Sequence, residues 1–226
     1  MISEFNRYRL TYTIIALNIF IYVISAFLSG DLIDMDLETL VEMGALFGPM
    51  TVLDEQWWRL FTAMFLHGGM THLLMNMFSL YIVGRAAQMY FDTKSYVSIY
   101  LFSGLIGGLV SLYMHPVSVG VGASGAIFGI FGALAGFFLA HRDKIEAHSK
   151  AFMKDFAIII GINLVIGFSI EAVDVSAHIG GLVVGVIGGF LLSKNPKFFV
   201  LYNSAMVLLM FIIMARLSSE YAQIQF

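Results

Sequence analysis

Long apolar runs alternate along the chain with short polar or glycine-rich breaks, and the runs lie near residues 10–28, 67–90, 95–114, 124–140, 153–170, 177–193 and 198–216. Each run is continuous rather than alternating, which predicts helices and not strands. Most reach the roughly 20 residues that a helix needs to cross a hydrocarbon core about 30 Å thick. Lipid offers backbone N–H and C=O groups no partners but each other, so the pattern predicts an all-α, polytopic transmembrane helical bundle of seven spans. The fourth and sixth runs are short, at about 17 residues each, and both open on polar side chains. Such helices can begin inside the membrane where a polar cavity feeds their starts.

The breaks between runs predict an orientation, because basic residues gather on cytoplasmic loops. With the N-terminus inside, Arg7, Arg9, Arg85, Lys94, Arg142, Lys144, Lys150, Lys154, Lys194 and Lys197 fall on the inner side, ten of the twelve basic residues, and Arg59 and Arg216 fall outside. The acidic residues Asp31, Asp34, Asp36, Glu38, Glu42, Asp54 and Glu55 then fall in the first outer loop, and Glu171 and Asp174 in a later one. This orientation puts the starts of spans two, four and six on one side of the membrane. The segment 29–66 holds short apolar pieces, "LETLVEMGALFGPM" and "QWWRLF", and is expected to fold back on the outer leaflet. No fixed-period repeat, low-complexity tract or linker divides the chain, so residues 1–226 are expected to form a single integral membrane domain. No small-residue cleavage site cleanly follows the first run, which reads as an uncleaved span.

Composition agrees with a membrane protein: of 226 residues, 59% are hydrophobic and 12% charged, and the mean hydropathy is +0.87. The absence of cysteine excludes disulfides, thiolate metal sites and a cysteine nucleophile. A net charge of −3 with no dense basic patch argues against a nucleic-acid partner. Zinc-peptidase chemistry would need H-E-x-x-H, which is missing, and the spacing of His67, His72 and His178 suggests no metal ligand set. The tripeptide "HRD" at His141–Asp143 has no glycine-rich phosphate loop to work with and reads as flanking charge. "GASGA" is not the G-x-S-x-G elbow, since Ala126 replaces the last glycine and no strand precedes it.

The chemistry-bearing residues sit at the starts of three spans. Span two opens with "HGGMTHLLMNM", in which His72 and Asn76 are four apart and share a helical face. Span four opens with Ser124, and span six with "DVSAHIGGLVVG", which carries His178. Polar side chains within spans usually face the bundle interior or a wet cavity, so three helices presenting them at one depth define a candidate site. Gly125, Gly129 and Ala133 on span four and Gly181, Gly185 and Gly189 on span six form small-xxx-small faces that let two backbones approach and bring Ser124 near His178. A serine hydroxyl attacks only when a base takes its proton, and a neutral imidazole within reach can do so and later protonate the leaving amine. His72, Asn76 and the backbone N–H of Ser124 or Ala123 are available donors for an oxyanion. Singly, each residue has a plainer reading: Ser124 as a helix N-cap, Asn76 as a bridge between helices, a buried histidine, His67 above all, as a partner for a backbone carbonyl. The plainer readings do not explain why the groups collect at one depth.

Four stretches together resemble the rhomboid family of intramembrane serine proteases: "WWR" at Trp57–Arg59, "HGGMTHLLMN" at His67–Asn76, "GASG" at Gly122–Gly125 and "AHIGG" at Ala177–Gly181. The resemblance implies a six-helix catalytic core over residues 1–193, with 198–216 as an additional C-terminal helix. It implies Ser124 as nucleophile and His178 as general base without a third acidic member. It further implies that His72, Asn76 and the Ser124 N–H line the oxyanion hole and that Trp58 and Arg59 anchor the first outer loop. The substrates implied are other membrane proteins, cut in or beside a transmembrane segment with no metal or cofactor, and the partners are those substrates and membrane lipid. Phe128, one turn after Ser124, is placed to pack beside the histidine. Gln88 stands where family members often carry glutamate, a change expected to weaken a helix-to-helix hydrogen bond. Two other classes are weighed: a catalytically silent client-binding relative, against which Ser124 and His178 both argue, and a small transporter, for which no inverted repeat is found. With no soluble domain or transit peptide in the sequence, a bacterial inner membrane is the expected location, with the site opening outward.

Overall fold

The computed structural model describes residues 4–143, 161 and 174–224. A short turn, α1 (Glu4–Arg7), leads into α2 (Arg9–Ser29), which ends where Gly30 takes a left-handed conformation, φ +73°, and donates its N–H to Ala26. A glycine is the residue that adopts this helix-ending geometry without strain. Six longer helices complete the described set: α5 (Met70–Ala87), α6 (Thr93–Met114), α7 (Ser124–Ala140), α8 (Val175–Lys194) and α9 (Phe198–Tyr221), together with α2. They match six of the seven predicted spans, and the all-α polytopic class holds. The fifth predicted span, with Lys144, Lys150, Lys154 and Glu171, lies outside the described residues, apart from Gly161.

Boundaries depart from the sequence reading where local chemistry decides them. Span two begins three residues late, at Met70, because the extended Gly69 precedes it, and His67 therefore lies outside the helix. Span six begins early, at Val175, because Asp174 caps it. Asp36 and Asp92 do the same for α3 (Leu37–Glu42) and α6, accepting from the amides of Thr39 and Ser95. Gln88 joins α5 to α2: its Oε1 accepts from the Thr11 amide at 2.9 Å and from the Thr11 hydroxyl. The Thr11 amide is one of the donors that a helix start leaves without an intrahelical partner.

Helix α7 is the centre of the bundle. Every residue from Gly125 to Leu134 is buried, whereas the outer helices α2 and α9 expose Phe20, Phe27, Leu208 and Phe211, as faces turned to lipid do. Among the described residues, four helices, α2, α6, α8 and α9, are long and apolar enough to cross a membrane. α7 is shorter, at 17 residues. It packs in parallel on α8 through the predicted glycine faces in register: a Cβ built on Gly181 would collide with the carbonyl of Gly125, one on Gly185 with that of Gly129, and one on Gly189 with that of Ala133. Gly132 and Gly136 add a second seam against the backbone of Leu182 and Val186, so the helices touch backbone to backbone from Gly125 to Gly136, about three turns.

Segment 31–66, expected on the outer side, is folded, not merely apolar. It contains α3, a two-residue strand β1 (Leu46–Phe47), a π-helical turn (Pro49–Leu53), α4 (Arg59–Thr62) and a 3₁₀ turn (Ala63–Phe65). β1 pairs antiparallel with β2 (Val119–Gly120), Leu46 opposite Gly120 and Phe47 opposite Val119. Leu46, Val52, Leu60 and Ala63 of this segment pack with Leu109 and Leu112 of α6 and Leu217 and Tyr221 of α9 in a second apolar cluster.

Candidate active site

Ser124 is the first residue of α7 and is half-buried. Its plainer reading as a cap does not fit, because Ala123 occupies the cap position and no side chain caps this helix. The chain reaches Ser124 through Gly122, whose φ of +124° suits glycine and whose N–H donates to the Ala63 carbonyl at 2.9 Å. A Cβ at Gly122 would lie 2.8 Å from His72 Nε2 and 3.8 Å from Asn76 Nδ2. Gly122 is thus pressed against the two α5 residues singled out in the sequence. Asn76, 7% exposed, donates to the His72 carbonyl at 3.1 Å. His67, fully buried, packs its ring edge-on against His72, with centroids 5.0 Å apart.

His178 lies in the first turn and a half of α8, 7% exposed. Its ring stacks on Phe128 with centroids 4.3 Å apart and planes 11° from parallel. The α7–α8 register puts Gly125 against Ala177, whose carbonyl a Cβ on Gly125 would approach to 3.4 Å. Ser124 and His178 therefore belong to adjoining turns of two helices in backbone contact. Nδ1 of His178 is buried and makes no hydrogen bond among the described residues, nor does a hydrogen bond join Ser124 to His178.

Arg59 is 2% exposed and fixes the outer segment from within: its Nη1 donates to the carbonyls of Val41 at 2.6 Å and Ala45 at 3.0 Å, and its Nε to Gln56 at 2.7 Å. Trp58 stays 52% exposed, with its ring 4.8 Å from the Arg59 guanidinium carbon and its edge over Gly44. Asp174, counted in the sequence as loop charge, is part of this site's frame. Its Oδ1 accepts from the amides of Ser176 at 3.0 Å and Ala177 at 3.2 Å and from the Ser176 hydroxyl, and His115 Nε2 lies 3.7 Å away. Burial alone would raise this carboxyl. The donors Ser111, Ser176 and Ala177 with nearby His115 outweigh burial and hold it below the ordinary range. An aspartate directly before an apolar helical run was the signal available for it.

The Rhomboid domain family model matches residues 54–195, from the outer segment through the end of α8. The chain belongs to the rhomboid family. This rhomboid is similar to RHOMBOID-like protein 6, mitochondrial, of Arabidopsis thaliana, 40% identical over 159 residues that make 70% of this chain and 51% of the relative. It is also similar to RHOMBOID-like protein 2 of the same plant, 41% identical over 160 residues, 71% of this chain and 50% of the relative. Rhomboid protease GluP of Bacillus subtilis (strain 168) is 37% identical over 180 residues, 80% of this chain and 33% of the relative. The chain thus spans between a third and about half the length of these three relatives. The rhomboid match covers all four stretches of the site, and the chain is an integral membrane protein.

Proposed function

We propose that this rhomboid is an intramembrane serine endopeptidase that cuts other membrane proteins in or beside a transmembrane segment. Ser124 Oγ attacks the scissile carbonyl while His178 takes its proton. The oxyanion is received by His72, Asn76 and the backbone N–H groups of Ser124 and Ala123. His178 then protonates the leaving amine, and water, activated by the same imidazole, releases the acyl group from Ser124. Gly122 and Gly125 keep the backbone close enough for this set of groups, Phe128 orients His178, and Arg59 with Trp58 holds the outer segment over the site. Residues 1–193 form the catalytic core and α9 is added to it.

The observation that carries this reading is the stack of His178 on Phe128, one turn beyond Ser124, which sets the imidazole beside the helix start that lacks a side-chain cap. The unlinked Ser124 and His178 are compatible with it, since catalytic hydrogen bonds often tighten only when substrate binds. The same observation is what a client-binding protein without activity would present. A helical peptide bond must be unwound before attack, so substrates with glycine or proline near the cut are favoured. The excess of basic residues on one side orients the N-terminus to the cytoplasmic side and opens the site to the other.

The test is cleavage of a single-span substrate in proteoliposomes, with fluorophosphonate labelling in parallel. Wild type is expected to cut and label, and Ser124→Ala and His178→Ala to do neither. A folded wild type that neither cuts nor labels selects the client-binding reading.

A further inference from the structure

Tyr221, the last residue of α9, is 2% exposed although much of that helix faces outward, with Val200 72% and Phe211 64% exposed. Its hydroxyl donates to the Leu112 carbonyl at 2.7 Å and lies 3.3 Å from the Pro116 carbonyl. Leu112 is in the last turn of α6, where carbonyls have no intrahelical donor, and Pro116 is in the loop that follows. The Tyr221 ring also fills the space over Gly48: a Cβ there would come within 2.7 Å of the ring and would collide with the Pro116 carbonyl.

These three contacts bear on one stretch of chain. Gly48 directly follows β1, β1 pairs with β2, and β2 is followed by Gly122, held by Ala63, and then by Ser124. From the other side His115 in the same loop faces Asp174, the cap of the helix that carries His178. The loop 115–123 is thus fixed at α9, at segment 31–66 and at the start of α8, and Tyr221 makes the hydrogen-bonded contact to α9.

We infer that Tyr221 is a positioning residue for the nucleophile: through its hydroxyl the added C-terminal helix sets the height and direction of the loop that delivers Ser124. This rests on the serine-protease reading above. The hydroxyl reaches the backbone carbonyls of Leu112 and Pro116, so its removal is expected to alter the placement of Ser124.

The experiment compares wild type, Tyr221→Phe and Asn203→Ala in proteoliposomes, measuring the fluorophosphonate labelling rate, kcat and KM per folded enzyme, and Tm. Asn203 makes the other polar attachment of α9, accepting from the Ser98 hydroxyl at 2.8 Å, far along the helix from the loop. Tyr221→Phe, which keeps the ring over Gly48, is expected to lower labelling rate and kcat together by about tenfold with KM within twofold of wild type. Asn203→Ala is expected to lower Tm while labelling per folded enzyme is unchanged. Equal labelling rates for wild type and Tyr221→Phe would overturn the inference and leave the protease reading standing, as would a Tyr221→Phe defect confined to Tm. Wild type that labels no better than Ser124→Ala would overturn both.

Discussion

A phenyl ring laid flat on an imidazole restrains it without changing its chemistry. Phe128 does this to His178 at 4.3 Å, and aromatic pairs of this kind contribute about 0.5–1.5 kcal/mol beyond burial, which corresponds to about two- to tenfold in rate. Phe128→Ala is accordingly expected to lower kcat by that factor while Ser124 still labels at a reduced rate, and a variant with full activity would show that the stack does not orient the base. At this scale Ser124, His178, His72 and Asn76 were legible as polar residues stranded in apolar runs. Asp174 was equally visible but looked like loop charge, because its hydrogen bonds to the amides of Ser176 and Ala177 exist only once the helix has formed. The resemblance implied that Arg59 anchors its loop but not that it would reach the carbonyls of Val41 and Ala45, since these partners are backbone and carry no side-chain signature.

Between elements, the decisive contact is the seam of α7 on α8. Steps of four between small residues made this seam readable in advance, because each glycine must face the backbone it admits, and the structure adds its register. In Gly185→Val the new side chain would meet the Gly129 carbonyl, which cannot rotate away as a side chain would. Overpacking of this sort costs about 1–3 kcal/mol or more. The variant is expected to lose several degrees of Tm and to lose activity with it, because the seam also sets the distance between Ser124 and His178. A Tm equal to wild type in a thermal melt would mean that the helices tolerate separation. The β1–β2 ladder was not foreseen, for two residues are too few to show any periodicity.

Among the described residues, α2 and α9 turn phenylalanine and leucine outward while α7, the shortest of the six long helices, is the most buried, an arrangement that suits a bundle solvated by lipid. The proposed topology is open to a direct check, as a chain without cysteine accepts single reporter thiols. Glu38→Cys and Asp143→Cys, both at exposed positions, are expected to react with an impermeant maleimide from opposite sides of sealed vesicles. Reaction from the same side would reverse the orientation drawn from the basic residues. The seven-run pattern conveyed the fold class because lipid forces backbone hydrogen bonds into helices. It did not convey the housing compartment, and relatives from a plant and a bacterium match the chain alike.

Two parallel helices begin side by side at this site and are finished differently. α8 starts on a carboxylate, Asp174, which offsets the partial positive charge, about half an elementary charge, that aligned peptide dipoles accumulate at a helix start. α7 starts on Ala123 with no side-chain cap, so the same partial charge is left bare beside Ser124. Negative charge developing on a carbonyl oxygen there would meet an electric field supplied by the backbone of α7 itself, in place before His72 or Asn76 contributes a hydrogen bond. On the serine-protease reading proposed above, the missing cap belongs to the chemistry, and a side-chain acceptor placed there would quench the field beside the nucleophile.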